Sequence, residues 1–375
     1  MQIELKKVIS KKDIMTFLQF PVDLYKNEPH YIPQLFMEDK KLFDEKKEAF
    51  YNKGKVESYL AYQGDKVVGR ISCIVNNEHN KLHKDEVGFF GFFDTINNEK
   101  VSEALLNKAK EYALANGKDT LRGPMNFSVS HTVGSLIKGF DLDPVLLTPY
   151  NFDYYNDLYT KYGFEKAMDF YSYQFTKAQG IPEKLARVAN AMQERGKFEL
   201  KFIQKKDLKR VVKEIQVIYN DAWKENWSFL PLSDDDIAGL ASELAPLLEP
   251  SLSYMVYDKG LPVGCMITLP NINEVLKGSN GKLLSKGFLK LVGVVLGLKK
   301  VKGVRTIIMG VLESHRRKGV EAILIHKTIV EGQKLGYQEA DLSWILENNV
   351  MMNRQLEKMD ANRYKEHRVY DLKIV

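Results

Sequence analysis

Residues 304–336 read VRTIIMGVLESHRRKGVEAILIHKTIVEGQKLG. An apolar, β-branched run leads into a basic turn containing Gly319. The turn opens a segment with helical spacing that Gly336 closes. The order predicts strand, turn, helix. The first N–H groups of a helix lack partners within it, and together with the helix dipole they favour an anion. Arg316, Arg317 and Lys318 would add charge-assisted contacts to a diphosphate. A solvated basic turn is the alternative reading of the same residues.

Upstream, YMVYDKGLPVG (254–264) repeats YLAYQGDKVVG (59–69) at an offset of 195, with Tyr, Tyr, Val and Gly in common. Each string predicts a strand, a short polar turn and a second strand. The second strands continue as RISCIVN (70–76) and CMITLPN (265–271). LYTKYGFEKAMDFYSYQF (158–175) and QLEKMDANRYKEHRVYDL (355–372) correspond at an offset of 197, pairing Lys161 with Lys358 and Tyr173 with Tyr370. Two segments with nearly the same offset point to one plan used twice. The first copy predicts a strand near 2–7, helices near 11–26 and 37–48, the hairpin, strand 87–95, a helix ending at Gly117 and a strand near 120–124. The second predicts strand 198–204, helices near 206–219 and 233–247, the hairpin, strand 304–312, helix 319–335, strand 339–346, helix 348–358 and a last strand near 366–374. KAQGIPEK (177–184) reads as the linker, with Gly180 and Pro182 as punctuation. At roughly 150 residues per domain, 375 residues predict about two domains, 1–176 and 185–375.

Composition narrows the class. Apolar residues make up 44% and charged residues 28%, which excludes a disordered or fibrous chain. Two cysteines, Cys73 and Cys265, exclude a disulfide scaffold and any Cys-x-x-Cys zinc site, and both fall on the same strand of the repeat, as core residues. No metal is expected. The N-terminus is charged from its fourth residue, and the longest apolar run, LVGVVLGL (291–298), is eight residues, far below the roughly 20 that span a bilayer. A cytoplasmic protein is the expectation. Lys plus Arg is 55 and Asp plus Glu 49, a net charge of +6 that allows an anionic partner without specifying one. No basic block with interleaved aromatics suggests nucleic acid.

The element order and the segment 304–336 resemble the GCN5-related N-acetyltransferase (GNAT) superfamily. The resemblance implies an α/β (α+β) fold of two tandem GNAT-like domains, each a mixed, mostly antiparallel sheet flanked by helices. It also implies an acyl-CoA or acetyl-CoA donor, bound at an Arg/Gln-x-x-Gly-x-Gly/Ala turn, and an amine acceptor. Here that turn reads Arg316-Arg317-Lys318-Gly319-Val320-Glu321-Ala322, so Glu321 departs from the pattern. A carboxylate about 6 Å from a phosphate is repelled by roughly 3 kcal/mol at an effective dielectric near 20. FDTINNEKVSEALL (93–106) has no basic residue before Lys100 and no glycine, so the first half is expected to lack donor binding and to supply scaffold and part of the acceptor pocket. RGPMNFS (122–128), GFDLDPVLLTPYNFDYY (139–155), YNDAWKENWSFLP (219–231) and LSWILENN (342–349) resemble a bacterial subgroup of tandem GNAT-like proteins. Some of its members resemble bacterial ceramide synthases, which acylate the amine of a sphingoid base. Three readings follow: an acyl-CoA-dependent N-acyltransferase, a long-chain transferase of sphingolipid synthesis at the membrane surface, or a non-catalytic binding protein of the same fold.

Amine acylation needs a thioester carbonyl held beside a neutral amine, a route for the amine proton and an acid for the thiolate. The resemblance implies donor contacts from Val311 and Leu312 on the strand, from Arg316, Arg317, Lys318, Gly319, Val320 and Ala322 at the turn, and from Asn348, Asn349 and Asn353. Helix capping is the alternative for Asn348. Glu313 and Glu347 are candidate proton acceptors, or else surface carboxylates; Tyr364 is a candidate acid by family analogy. Trp223, Asn226 and Trp227 predict one helical face that packs in the core or lines an apolar acceptor pocket. Asn126, His131 and Tyr150 are acceptor-side candidates in the first half, with Asp141 and Asp143 read as turn residues.

GKLLSKGFLKLVGVVLGLKKVKG (281–303) is an insertion. Leu284, Phe288, Leu291, Val295 and Leu298 follow helical spacing, surrounded by Lys282, Lys286, Lys290, Lys299 and Lys300. A basic amphipathic helix of this kind lies in a membrane interface, covers an acyl chain or packs on a neighbouring domain. Peripheral contact with the inner membrane face is the expectation it adds.

Overall fold

The computed structural model describes residues 2–279, 281 and 286–375; Lys282 and Leu284 lie outside them. The chain forms two units, one from residues 1–170, 275–291 and 365–375, the other from 171–274 and 292–364. In chain order the elements are β1 (Glu4–Lys7), α1 (Lys11–Leu24), α2 (Phe36–Leu42), β2 (Gly54–Gln63), β3 (Lys66–Asn76), α3 (Asn77–His83), β4 (Val87–Thr95), α4 (Glu99–Ala115), β5 (Thr120–Gly123), β6 (Ser135–Lys138), α5 (Tyr154–Tyr162) and β7 (Glu165–Thr176). There follow α6 (Glu183–Glu194), β8 (Phe198–Phe202), α7 (Leu208–Ala222), α8 (Asp234–Leu244), β9 (Ser253–Asp258), β10 (Leu261–Pro270), α9 (Asn273–Leu276), α10 (Lys286–Val295), β11 (Gly303–Val311), α11 (Val320–Leu335), β12 (Glu339–Leu346), α12 (Val350–Glu357) and β13 (Asn362–Lys373).

The repeated strings are the hairpins β2–β3 and β9–β10, and their shared glycine has a packing reason. A Cβ on Gly69 would stand 2.7 Å from Leu105 Cδ1 of α4, and one on Gly264 would stand 2.8 Å from Val320 Cγ1 of α11. In each unit the missing side chain lets the helix lie close on the hairpin strand. Val101, Leu105 and Ala109 share one buried face of α4, in a core with Ile71, Phe90 and Tyr159. Ile323, Leu324 and Val320 of α11 occupy the same position in a second core with Val256, Val263 and Met266. Cys73 and Cys265 are buried on β3 and β10, and burial pushes the Cys265 thiol up to about 12.

The first unit's sheet runs β1-β2-β3-β4-β5-β13, with β6 also paired to β13. The second runs β8-β9-β10-β11-β12, with residues 171–176 of β7 beside β12. In both, a parallel pair joins the fourth and fifth strands of the repeat, and the three pairs before it are antiparallel. α6 is an element that the sequence reading placed partly in a linker. Pro182 is its N-cap rather than a break, and Leu185 and Met192 pack it into the second core.

Candidate functional site

β11 and β12 pair at four positions, from Gly303 opposite Glu339 to Thr306 opposite Leu342, although the strands continue to Val311 and Leu346. A bulge explains where they part. Ile308 faces Ile267 and Thr306 faces Thr268, so Ile307 has no partner on β10. An extra residue increases the local twist and bends its strand. Beyond Thr306 the β12-side edge of β11 carries no ladder bond among the described residues. Its other edge stays fixed, with Val311 opposite Gly264 and Leu312 N–H donating to Val263 O at 2.9 Å. A splayed parallel pair thus offers backbone donors and acceptors to an extended ligand arm.

The basic turn follows at the end of β11. Arg317 has φ 59° and Gly319 φ 90°, both left-handed. Gly319 is required twice: by its φ, and because a Cβ there would stand 2.5 Å from Met192 Cγ. It is also the N-cap of α11 and offers no side-chain cap to the first N–H groups of the helix. Arg316 Nη2 donates to Ala222 O at 2.7 Å, which ties the turn to the end of α7. Glu321 folds back on the turn, and its carboxylate accepts the Arg317 N–H at 3.3 Å. The Arg317 N–H is therefore engaged within the chain. His315, which the sequence reading passed over, braces the turn: Nδ1 is 2.9 Å from Ser314 Oγ and Nε2 is 3.1 Å from the Asp258 carboxylate.

The same positions in the first unit are closed by the chain itself. β4 and β5 pair from Val87–Thr120 to Phe89–Arg122 and then part. Residues 124–130 after β5 enter the gap: Met125 N–H donates to Phe90 O at 2.8 Å, and Asn126 Oδ1 accepts the Phe92 N–H at 2.8 Å. A Cβ on Gly91 would be 2.3 Å from Met125 O, so the filling is close. The N-terminus of α4 is capped by Asn98, whose Oδ1 accepts from Lys100 N–H at 3.0 Å and Val101 N–H at 3.4 Å.

No protein-family model matches the chain. It is 29% identical to a bacterial ceramide synthase of Caulobacter vibrioides (strain NA1000 / CB15N), over 96% of this chain and 94% of that protein. It is 28% identical to Protein YghO of Escherichia coli (strain K12), over 98% of this chain and 94% of that one. A tandem GNAT protein from the clavulanic acid biosynthesis pathway, solved without AcCoA, superposes with a TM-score of 0.57 at 10% identity, covering 100% of this chain and 99% of its own. The fold is that of a tandem GNAT protein.

Within this GNAT fold the predicted residues separate into those at the splay and those engaged elsewhere. Glu313 is exposed just past β11; its N–H donates to Asp221 Oδ2 at 2.7 Å and its carboxylate pairs with Lys224 at 2.6 Å. The Lys224 ammonium holds the Glu313 carboxyl below the usual range, which makes it a weaker base. Glu347 is half-buried at the end of β12, where the strands have parted. Asn349, not Asn348, caps α12, accepting from Met352 N–H at 3.2 Å. Asn353 is structural: its Nδ2 donates to Leu346 O at 3.0 Å, and its Oδ1 accepts from the Tyr173 hydroxyl at 3.0 Å. The amide expected at the coenzyme is thus hydrogen-bonded within the chain.

Tyr364 is likewise bonded within the chain. Its hydroxyl donates to Asp341 Oδ2 at 2.7 Å, and Asp341 in turn lies 3.5 Å from Arg305 Nε and accepts from the Ser343 hydroxyl. Burial first, and then the Asp341 charge, push the phenol well above its ordinary value. A proton held by an internal carboxylate is poorly placed to be delivered to a thiolate. α7 ends at Ala222, so Trp223 and Trp227 do not share a helical face. Trp223 is the helix C-cap and packs on Tyr219, with ring centres 4.1 Å apart, while Asn226 and Trp227 lie in the turn that follows.

In the first unit Asn126 fills the gap, as above. His131 Nδ1 is 3.0 Å from Ser128 Oγ and its Nε2 is 3.7 Å from Glu48, so it staples the same loop. The Tyr150 hydroxyl donates to Phe140 O at 3.0 Å. Asp143 is more than a turn residue, since it pairs with His30 at 2.7 Å and Lys277 at 2.8 Å. Among the described residues no cluster of His, Cys, Asp and Glu is arranged to hold a metal ion.

Proposed function

We propose that the chain is an acyl-CoA-dependent N-acyltransferase with one donor site, at the β11–α11 turn and the β11–β12 splay. The observation that carries this reading is the helix N-terminus at Gly319. It has no side-chain cap and stands beside three cations and an unpaired strand edge. The residues suit the donor in part: backbone N–H groups and Arg317 and Lys318 serve the diphosphate, and the edge of 307–311 serves the pantetheine amides. The acceptor nitrogen attacks the thioester carbonyl carbon, the C–S bond breaks, the amine proton passes to a base and the thiolate takes up a proton. We assign the base to Glu347, which stands where β12 parts from β11, because the Lys224 ammonium lowers the proton affinity of Glu313. Calorimetry with acetyl-CoA and palmitoyl-CoA tests the donor site. One site per chain is expected, lost when Arg317 and Lys318 are replaced by Glu; absence of binding by either thioester sinks the reading.

A second, finer reading names the acceptor as the amine of a long-chain base. It is favoured by the 29% identity to a bacterial ceramide synthase across nearly the whole chain. Incubation with palmitoyl-CoA and a sphingoid base is expected to give the N-acyl product by mass spectrometry. Turnover of soluble amines in preference to the lipid base removes this reading and leaves the first intact. Donor binding without turnover of any amine would instead favour a non-catalytic binding protein.

A further inference from the structure

α10 buries one side and exposes an apolar stripe on the other. Gly287 and Leu291 are buried, whereas Leu289 and Leu296 are 71% and 64% exposed, with Val292 between them. Positions 289, 292 and 296 follow the three- and four-residue steps of a single helix face. The stripe is fixed, not frayed. Gly297 has φ 71°, Gly297 N–H donates to Val294 O at 3.0 Å and Leu298 N–H to Gly293 O at 2.8 Å. This is a Schellman termination, in which the residue after the glycine ordinarily packs on the third residue from the helix end. Here that residue is Gly293, which has no side chain to offer, and Leu298 is left 82% exposed.

The charge around the stripe has one sign. No acidic residue occurs between Glu274 and Glu313. Lys290, Lys299, Lys300 and Lys302 flank the apolar residues and are exposed. Lys300 donates to Leu335 O, while Lys290 and Lys299 have no ion pair among the described residues. A second copy of the chain would set these lysines against one another. A bilayer bearing anionic headgroups accepts the leucines between its acyl chains and the lysines at its surface. At 10 residues α10 is about 15 Å long, and among the described residues no helix is long and apolar enough to cross a membrane.

We propose that α10 and its Gly297 termination form an in-plane anchor that docks the protein on an anionic lipid surface. The inference stands apart from the acyl-transfer reading, because it concerns lipid binding and not turnover. Sedimentation of the full chain with vesicles of phosphatidylcholine alone, or of equal parts phosphatidylcholine and phosphatidylglycerol, tests it. Binding to the anionic vesicles is expected. It should fall at least roughly ten-fold in Leu296→Glu/Leu298→Glu, and similarly in Lys290→Glu/Lys299→Glu. Circular dichroism, thermal midpoint and acyl-CoA calorimetry should be unchanged in both variants, which separates this outcome from unfolding and from failure of the donor site. Equal binding to neutral and anionic vesicles, or no loss in either variant, overturns the proposal. Self-association that the leucine variant abolishes, without vesicle binding, assigns the stripe to a second copy and overturns it as well.

Discussion

The N-termini of α4 and α11 occupy equivalent places in two copies of one plan and have opposite solutions. At α4 the chain satisfies itself: Asn98 caps the helix and the Asn126 loop fills the gap between β4 and β5. At α11 a glycine in a left-handed conformation replaces the cap, cations replace the neutral loop, and the bulged strand leaves an edge unpaired. The second copy withholds internal partners that the first copy supplies. Glu321 complicates the contrast, because it restores one internal partner, on the Arg317 N–H.

Four substitutions test the contrast. Gly319→Val should have the largest effect, since the side chain meets Met192 and the φ is strained. Acyl-CoA affinity by calorimetry should drop about 100-fold, an order appropriate to losing several charge-assisted contacts. Asn126→Ala leaves the buried Phe92 N–H without its acceptor and should lower unfolding stability by about 2 kcal/mol in urea titrations. Donor stoichiometry should stay unchanged; a second donor site in that variant would show that the loop alone had closed the first unit. Glu321→Gln removes the carboxylate charge and should tighten donor binding, by up to about ten-fold at low salt and less at high salt. Weaker binding would mean that Glu321 orders the turn for the donor. Asn98→Ala should cost about 1 kcal/mol of stability, with no change in donor affinity, as for loss of an ordinary N-cap.

Much of this contrast was legible in sequence. The string 304–336 gives strand, turn and helix, and its counterpart 93–106 lacks both glycine and early cations. A further signal was present in spacing: residues 124–153 separate β5 from α5, whereas 347–349 separate β12 from α12. The longer stretch holds the loop that fills the first gap. What that loop does was not legible, because an asparagine side chain bonding a backbone N–H 34 residues away leaves no local pattern. The internal partners of Asn353 and Tyr364 were hidden for a related reason. Each is a polar residue at a family-like position whose partner, Tyr173 or Asp341, arrives only through folding. The α6 helix was hidden by a Gly and a Pro that read as a linker but in fact precede a helix start.

Local sequence determined that one plan is used twice, since hairpin pattern, helix spacing and the close-packing glycines Gly69 and Gly264 are short-range properties. It also determined which copy carries the basic turn. Tertiary structure decided which groups remain unpaired, and where the closing strand goes. Residues 365–375 follow the second copy in sequence, yet they belong to the first unit, where Tyr370 lies opposite Gly123 and Leu372 opposite Leu121. Backbone hydrogen bonds are the same for every residue, so an alternating strand carries no local mark of the sheet edge it will join. Only the competing partners in the folded chain make that choice.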